Sequence, residues 1–439
     1  MSVQRSRRAG TYLAYNTLLA LLSPGVGIYA VFHDLRRIGL ASMRDRIGRP
    51  ALTPVFDRDC IWIHAASVGE TVAAVPIVRA LLEIRPGVRI VFSNITATGH
   101  DTAQRMLPTV DHFYFPFDFP FAVRSALRRI RPNVCVTIET ELWPNFIHLG
   151  KAASVRMAVV NGRISDRSFR RSARPAVRWI FKWMLGQLDL MAMQTDLDAE
   201  RAGALGADRS RIEVLGNSKF DQALVNDPST GEVAREFGFA ANEPTLVAGS
   251  THPGEDEAVL DAFQQVRTRI PNARLILAPR RLERVPALKE ILTQRGMQAS
   301  FRSDAVNPGE ADRSAAPILI LDTIGELRRV YALARVAFVG GTLVPVGGHD
   351  LLQPLAKGKP ALFGPHTNNL REIAAIVSES GAGIRVHDGA ELAAECIRLM
   401  NDPVAADAMG QAGLRLIEAN RGASRRYAER IAGLLRPEG

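Results

Sequence analysis

The chain has 439 residues, 47% of them apolar, which is enough for two hydrophobic cores at the usual ~100–200 residues per domain. Three scattered cysteines, Cys60, Cys135 and Cys396, exclude a disulfide framework and give no zinc-ligand spacing. The formal charge of +10 comes without a nucleic-acid recognition motif, and no internal period suggests a repeat architecture.

At the start of the chain, Arg5, Arg7 and Arg8 precede an uncharged stretch from Ala9 to Phe32, and Arg36, Arg37, Arg44, Arg46 and Arg49 follow it. That is close to the roughly 20 residues a spanning helix needs, but Ser23-Pro24-Gly25 interrupts it and both flanks are basic. Residues 1–50 are therefore expected to be a hydrophobic and basic anchor lying at the cytoplasmic face of a membrane, with a single spanning helix as the alternative.

Next, apolar strand-like runs alternate with helical ones: Cys60–Ile63, Val88–Ser93, His112–Phe115, Val134–Ile138, Arg156–Val160, Leu190–Gln194 and Ile212–Val214. Turn formers at Asp227–Gly231 loosen the pattern, and a second series follows at Thr245–Gly249, Arg274–Ala278, Ile318–Leu321, Val336–Val339, Pro360–Phe363 and Gly383–Val386. The polar stretch Arg302 to Ala316 reads as a loop. This predicts an α/β protein with two Rossmann-like domains facing a cleft, at residues 51–228 and 240–439, each binding ligands at the carboxyl ends of its strands.

Several loops after strands carry chemistry. IWIHAASVGE sets Glu70 at a helix start beside a tight turn, where it can act as a base or serve the helix terminus electrostatically. ETELW crowds Glu139 and Glu141 at the end of one strand, which raises the energy of the doubly charged state. GNSKFD adds Lys219 near the domain boundary. Arg163, Arg167, Arg170, Arg171, Arg174, Arg178 and Lys182 interleave with Phe169, Trp179, Phe181 and Trp183, a pattern read as a surface for anionic lipid.

In the second half, Gly249–His252 and Pro279-Arg280-Arg281 supply hydroxyl and guanidinium donors, Asp322–Glu326 opens a helix, and Gly340, Gly341, Gly347 and Gly348 form a loop before an expected helix at Asp350–Ala356. His64, His252, His349 and His366 fall in loops without metal-ligand spacing, so the expected mechanism uses no metal.

HAASVGE, SNITATG, ETELWPN, NGRISDRS, GNSKFD, GSTHPGEDE, APRR, DTIGELRRVYALARVAFVGGTLVPVGGHD and FGPHTNNLREI occur in the order found in lipid A 3-deoxy-D-manno-octulosonic acid (Kdo) transferases, and the chain resembles that family over nearly its whole length. The resemblance implies a GT-B glycosyltransferase, with CMP-Kdo as donor, a lipid A precursor as acceptor, and no cofactor. It implies Glu70 as the base of an inverting transfer, Glu141 and Lys219 as transition-state stabilisers, and CMP binding by Pro279, Arg280, Ile324, Gly325, Glu326, Asp350, Leu351, Leu352 and Gln353. It implies a place at the cytoplasmic face of the inner membrane.

The chain departs from the family pattern after Gly-Gly-His, where Asn-x-x-Glu is usual and Asp350-Leu351-Leu352-Gln353 stands here, and at Arg281, where a His is common. The alternative raised by these departures is a transferase of the same descent with another nucleotide sugar or lipid acceptor.

Overall fold

The computed structural model describes residues 10–21, 40–52, 58–223, 228–240, 243–304 and 316–435. The chain forms two units, one of residues 1–222 and 420–439 and the other of residues 223–419.

The first unit is built on a seven-stranded sheet of β1 (Cys60–His64), β2 (Arg89–Asn94), β3 (Asp111–Tyr114), β4 (Val134–Ile138), β5 (Arg156–Gly162), β6 (Leu190–Met193) and β7 (Ile212–Val214), in the order β3-β2-β1-β4-β5-β6-β7. Every paired neighbour is parallel. β1, β2 and β4 are buried at every residue, because helices cover both faces of a parallel sheet; hence their unbroken apolar runs. Helix Val68–Ile84 buries Ala73, Ala74, Ile77, Val78 and Leu81 on one face of the sheet. On the other face Trp62 packs against Phe113, Phe115 and Phe146.

Helix Ala423–Ala432 returns to this unit, contrary to the expected domain of residues 240–439. Two interactions explain the return. Tyr427, Ala428 and Ile431 complete the apolar cluster over helix Val68–Ile84, and the Asp221 carboxylate accepts from the N–H groups of Gly422 and Ser424 at 2.7 Å each.

Residues 10–21 are helical and dock on the same unit through Tyr15, which donates to Asp118 at 3.0 Å, and through the paired amides of Asn16 and Asn145. Leu13, Leu18 and Leu21 stay exposed at 68, 52 and 74%. No helix among the described residues is long and apolar enough to cross a membrane. Arg5, Arg7, Arg8, Arg36, Arg37 and the remainder of the apolar stretch lie outside the described residues.

The second unit holds β8 (Thr245–Thr251), β9 (Arg274–Pro279), β10 (Ala299–Phe301), β11 (Ile318–Ile320), β12 (Val336–Val339), β13 (Ala361–Phe363) and β14 (Gly383–Arg385), in the order β10-β11-β9-β8-β12-β13-β14, again parallel. β10 was not expected: it is three half-buried residues at the sheet edge, too short for a periodic signal. The helix expected from Asp350 to Ala356 is only the single turn Leu352–Leu355.

Candidate active site

In the first sheet the chain leaves β1 toward β2 on one side, while β4 lies on the other, so β1 and β4 flank the point where strand order reverses. Open parallel sheets bind ligands at such a point, outside the carboxyl ends of the strands. Glu70 follows β1, and Glu139 and Glu141 follow β4.

Ser67 caps helix Val68–Ile84, and Glu70 occupies its first turn. One Glu70 oxygen accepts from Ala66 N–H at 2.6 Å and the other from the Ser67 hydroxyl at 2.9 Å, which fixes the side chain against its own helix start. The carboxyl group is nevertheless pushed up to about 7, by burial first and then by the charges of Glu141 and Glu139. Burial, and Glu139 again, also raise Glu141, whose carboxylate accepts from the Trp143 indole at 3.1 Å. A carboxylate titrating near neutrality and held beside an open crevice is suited to take a proton.

Glu139 has φ +59°, a left-handed conformation unfavourable for its residue type. Its Oε1 lies 2.8 Å from Lys219 Nζ, with both side chains mostly covered. Lys219 reaches that partner from the far edge of the sheet. After β7 the chain doubles back: Leu215 N–H donates to Met193, the Asn217 side chain to Gln194, Ser218 N–H to Asn161, and the Ser218 hydroxyl to Ala73 O at 2.9 Å. Glu70, Glu139, Glu141 and Lys219 thus form one cluster. Glu139 received no role from sequence reasoning, although its place beside Glu141 in ETELW was the available signal. His64 is not part of the chemistry: buried and stacked on Phe115 at 3.8 Å, it is pushed down to about 3 by burial and stays neutral.

In the second sheet the reversal lies between β8 and β12. Glu255, completely buried in the first turn of helix Glu255–Arg269, accepts from four backbone N–H groups: His252 at 3.0 Å, Gly341 at 2.6 Å, Thr342 at 2.9 Å and Leu343 at 2.8 Å. It thereby ties the loop after β8 to the loop after β12. Gly340 admits no side chain, since a Cβ there would lie 2.5 Å from Ser250 O. His252 and His349 meet with their Nε2 atoms 2.8 Å apart; burial, then the Arg280 charge, brings His349 down to about 4, and burial lowers His252 as well. Sequence reasoning missed Glu255, which directly follows a glycine at a helix start, as Glu70 does.

The residues expected to bind the nucleotide lie at or beyond strand ends of this sheet. Pro279 closes β9 and Arg280 follows it, exposed. Ile324 is 88% exposed and Gly325 has φ +91°. Glu326 is engaged by Arg302 at 2.9 Å, by Arg329 at 3.0 Å and by the Thr323 hydroxyl. Asp350 accepts from Leu352 N–H at 3.0 Å and from the Gln353 amide at 3.2 Å, with Leu351 and Leu352 buried beneath.

The chain is thus built of two doubly wound parallel units, each with a carboxylate at its reversal point. UDP-GlcNAc 2-epimerase from Neisseria meningitidis bound to UDP-GlcNAc shares the fold, with a TM-score of 0.56 at 10% identity over 86% of this chain and 99% of that one. A family model described as 3-deoxy-D-manno-octulosonic-acid transferase matches residues 41–222. The 3-deoxy-D-manno-octulosonic acid transferase of Haemophilus influenzae is 32% identical over 434 residues, covering 96% of this chain and 97% of that protein. The enzyme of that name from Bordetella pertussis is 32% identical over 383 residues, covering 84% and 86%. The chain belongs to the Kdo transferase family and is a glycosyltransferase.

Proposed function

We propose that the protein transfers Kdo from CMP-Kdo to a lipid A precursor in lipopolysaccharide core biosynthesis, with inversion and with Glu70 as base. The observation that carries this reading is Glu70 itself, positioned by its helix start and raised to about 7 by burial and by Glu141 and Glu139. A glucosamine hydroxyl gives its proton to the Glu70 carboxylate as its oxygen attacks the anomeric carbon of Kdo. The bond from that carbon to the phosphate oxygen breaks, and CMP leaves with the electron pair.

Arg280, exposed at the end of β9, is the guanidinium suited to the departing phosphate. Lys219 acts through Glu139, balancing one of three neighbouring carboxylates so that Glu70 can ionise near neutral pH. Asp350 and Gln353 are already bonded to each other, so the pair offers the nucleotide one carboxylate and one amide. In this reading CMP is the nucleotide of the second unit, with Leu351 and Leu352 shaping the turn that carries Asp350 and Gln353.

The acceptor is a lipid, and the reading extends to the cytoplasmic face of the inner membrane. The exposed leucines of residues 10–21 and the exposed Arg167, Arg170, Arg174 and Arg178 support an interfacial contact with anionic lipid. The aromatic half of that motif is partly internal, since Trp183 is 7% exposed and packs in the core.

The test is CMP release by the detergent-solubilised protein given CMP-Kdo, with and without a tetraacyl lipid A precursor, alongside Glu70→Ala. Release that requires the acceptor and Glu70 upholds the reading. Bound CMP without turnover removes the acceptor from it, and failure to bind CMP favours another nucleotide sugar.

A further inference from the structure

The unexpected strand β10 delivers Arg302, which follows it directly and reaches the loop after the neighbouring strand β11. Its guanidinium donates to both oxygens of Glu326, at 2.9 Å to Oε1 and 3.2 Å to Oε2, and to Glu236 Oε1 at 2.8 Å. Glu236 lies in helix Thr230–Phe237, and the fully buried Phe237 ring has the Arg302 guanidinium 4.3 Å from its centroid. Arg329, from helix Leu327–Val330, closes the network by donating to Glu236 at 2.9 Å and to Glu326 at 3.0 Å. Ser303 adds a second tie between the same two loops, since its N–H and its hydroxyl both donate to Asp322.

The Thr323 hydroxyl completes the donors on Glu326. Burial pushes the Glu326 carboxyl up, but Arg302, Thr323 and Arg329 outweigh it and hold the group below the usual carboxylate range. Both of its oxygens are thus committed inside the network. Between the anchored Asp322 and Glu326, Ile324 is 88% exposed and Gly325 has φ +91°, so the turn offers a ligand an apolar side chain and a left-handed backbone. It lies one strand farther from the reversal point than Arg280, which follows β9.

On the reading that the second unit binds CMP, we propose that Arg302 is a positioning residue for that binding: through Glu326 and Glu236 it sets the Ile324-Gly325 turn against the nucleoside half, while Glu326 itself does not touch the nucleotide. Arg280, nearer the reversal point, is left to the phosphate. Without Arg302, Glu236 and Glu326 would share Arg329 alone, and two like charges with one partner push the turn out of place. Lysine would keep the charge, but a single ammonium cannot reproduce a planar fork that bridges two carboxylates while lying on an aromatic ring.

Equilibrium titration of the full chain with CMP and with cytidine tests this without requiring turnover. Arg302→Ala should weaken both ligands alike, by about tenfold, and Arg302→Lys and Glu236→Gln should weaken both by about threefold. Arg280→Ala should weaken CMP and spare cytidine. Arg295→Ala, which breaks an ion pair with Asp261 elsewhere in the unit, should change neither. In the transfer assay Arg302→Ala should raise the donor KM by the same factor and change kcat by less than about twofold. A loss confined to CMP in Arg302→Ala would overturn the proposal by making Arg302 a phosphate ligand. Unchanged binding in Glu236→Gln would overturn it by removing the network as the route, and equal loss in Arg295→Ala by showing general destabilisation. Where Arg302→Ala does not fold, Arg302→Lys and Glu236→Gln decide on the same terms. An unaltered protein that binds neither ligand ends the CMP reading and the role of Arg302 with it, whereas CMP binding that is normal in the unaltered protein and indifferent to Arg302 ends the positioning role alone.

Discussion

Glu70 and Glu255 hold matching places in the two units: each follows the first strand of its sheet, lies in the first turn of the next helix, and is drawn from the solvent. Their partners differ. Glu255 receives four backbone N–H groups and joins two loops, whereas Glu70 receives one N–H and one hydroxyl and faces two other carboxylates. Like charges destabilise an ionised carboxylate, so the same local motif ties two loops together in one unit and holds a carboxyl group raised to about 7 in the other. Position in the fold supplies the carboxylate, and the neighbours decide its use.

The strongest way to break the comparison is to remove each acid. Glu70→Ala should lower kcat by about 10²–10⁴-fold in a CMP-release assay while thermal unfolding moves little. Glu255→Gln should do the reverse. An amide nitrogen facing two of those N–H groups removes charge-assisted hydrogen bonds of about 1.5–3 kcal/mol each, and the loss appears as a lowered urea midpoint. Equal damage to rate and stability in both variants would show that the two acids are not specialised.

Charge changes around Glu70 sharpen the contrast. As the proposed base Glu70 must be ionised, so kcat/KM should fall about tenfold per pH unit below about 7, where it takes up its proton. Lys219→Ala leaves Glu139 unbalanced, which favours protonated Glu70 and moves that acid limb to higher pH. Glu141→Gln removes a charge that raises Glu70 and moves the limb to lower pH. Limbs moving in the same direction would contradict the electrostatic account. The smallest effect is expected at the turn Leu352–Leu355, where Asp350→Ala removes the acceptor of the Leu352 N–H, worth about 1 kcal/mol and read as a slight loss of thermal stability.

Much of the fold was legible because parallel strands buried on both faces leave long apolar runs. Val134–Ile138, Ile212–Val214 and Val336–Val339 have the boundaries read from sequence. β10 escaped because three half-buried residues at an edge carry no period. The attachment of helix Ala423–Ala432 to the first unit depends on Asp221, about two hundred residues earlier, and no local pattern records such a partner. At the site, the motifs marked Glu70, Glu141 and Lys219 as notable. The Lys219–Glu139 pair was hidden because the chain crosses the ends of β6 and β5 to make it, through hydrogen bonds from Leu215, Asn217 and Ser218.

The return of residues 420–439 to the first unit makes the second unit a contiguous insertion within the first. During synthesis the second unit therefore has all its residues before the chain is finished. The first unit, begun earlier, waits for Tyr427, Ala428 and Ile431 to cover helix Val68–Ile84, and so it is the last to mature. A chain cut before Asn420 would carry a complete second unit attached to a first unit with an open core, a species prone to aggregation and readily found by proteases.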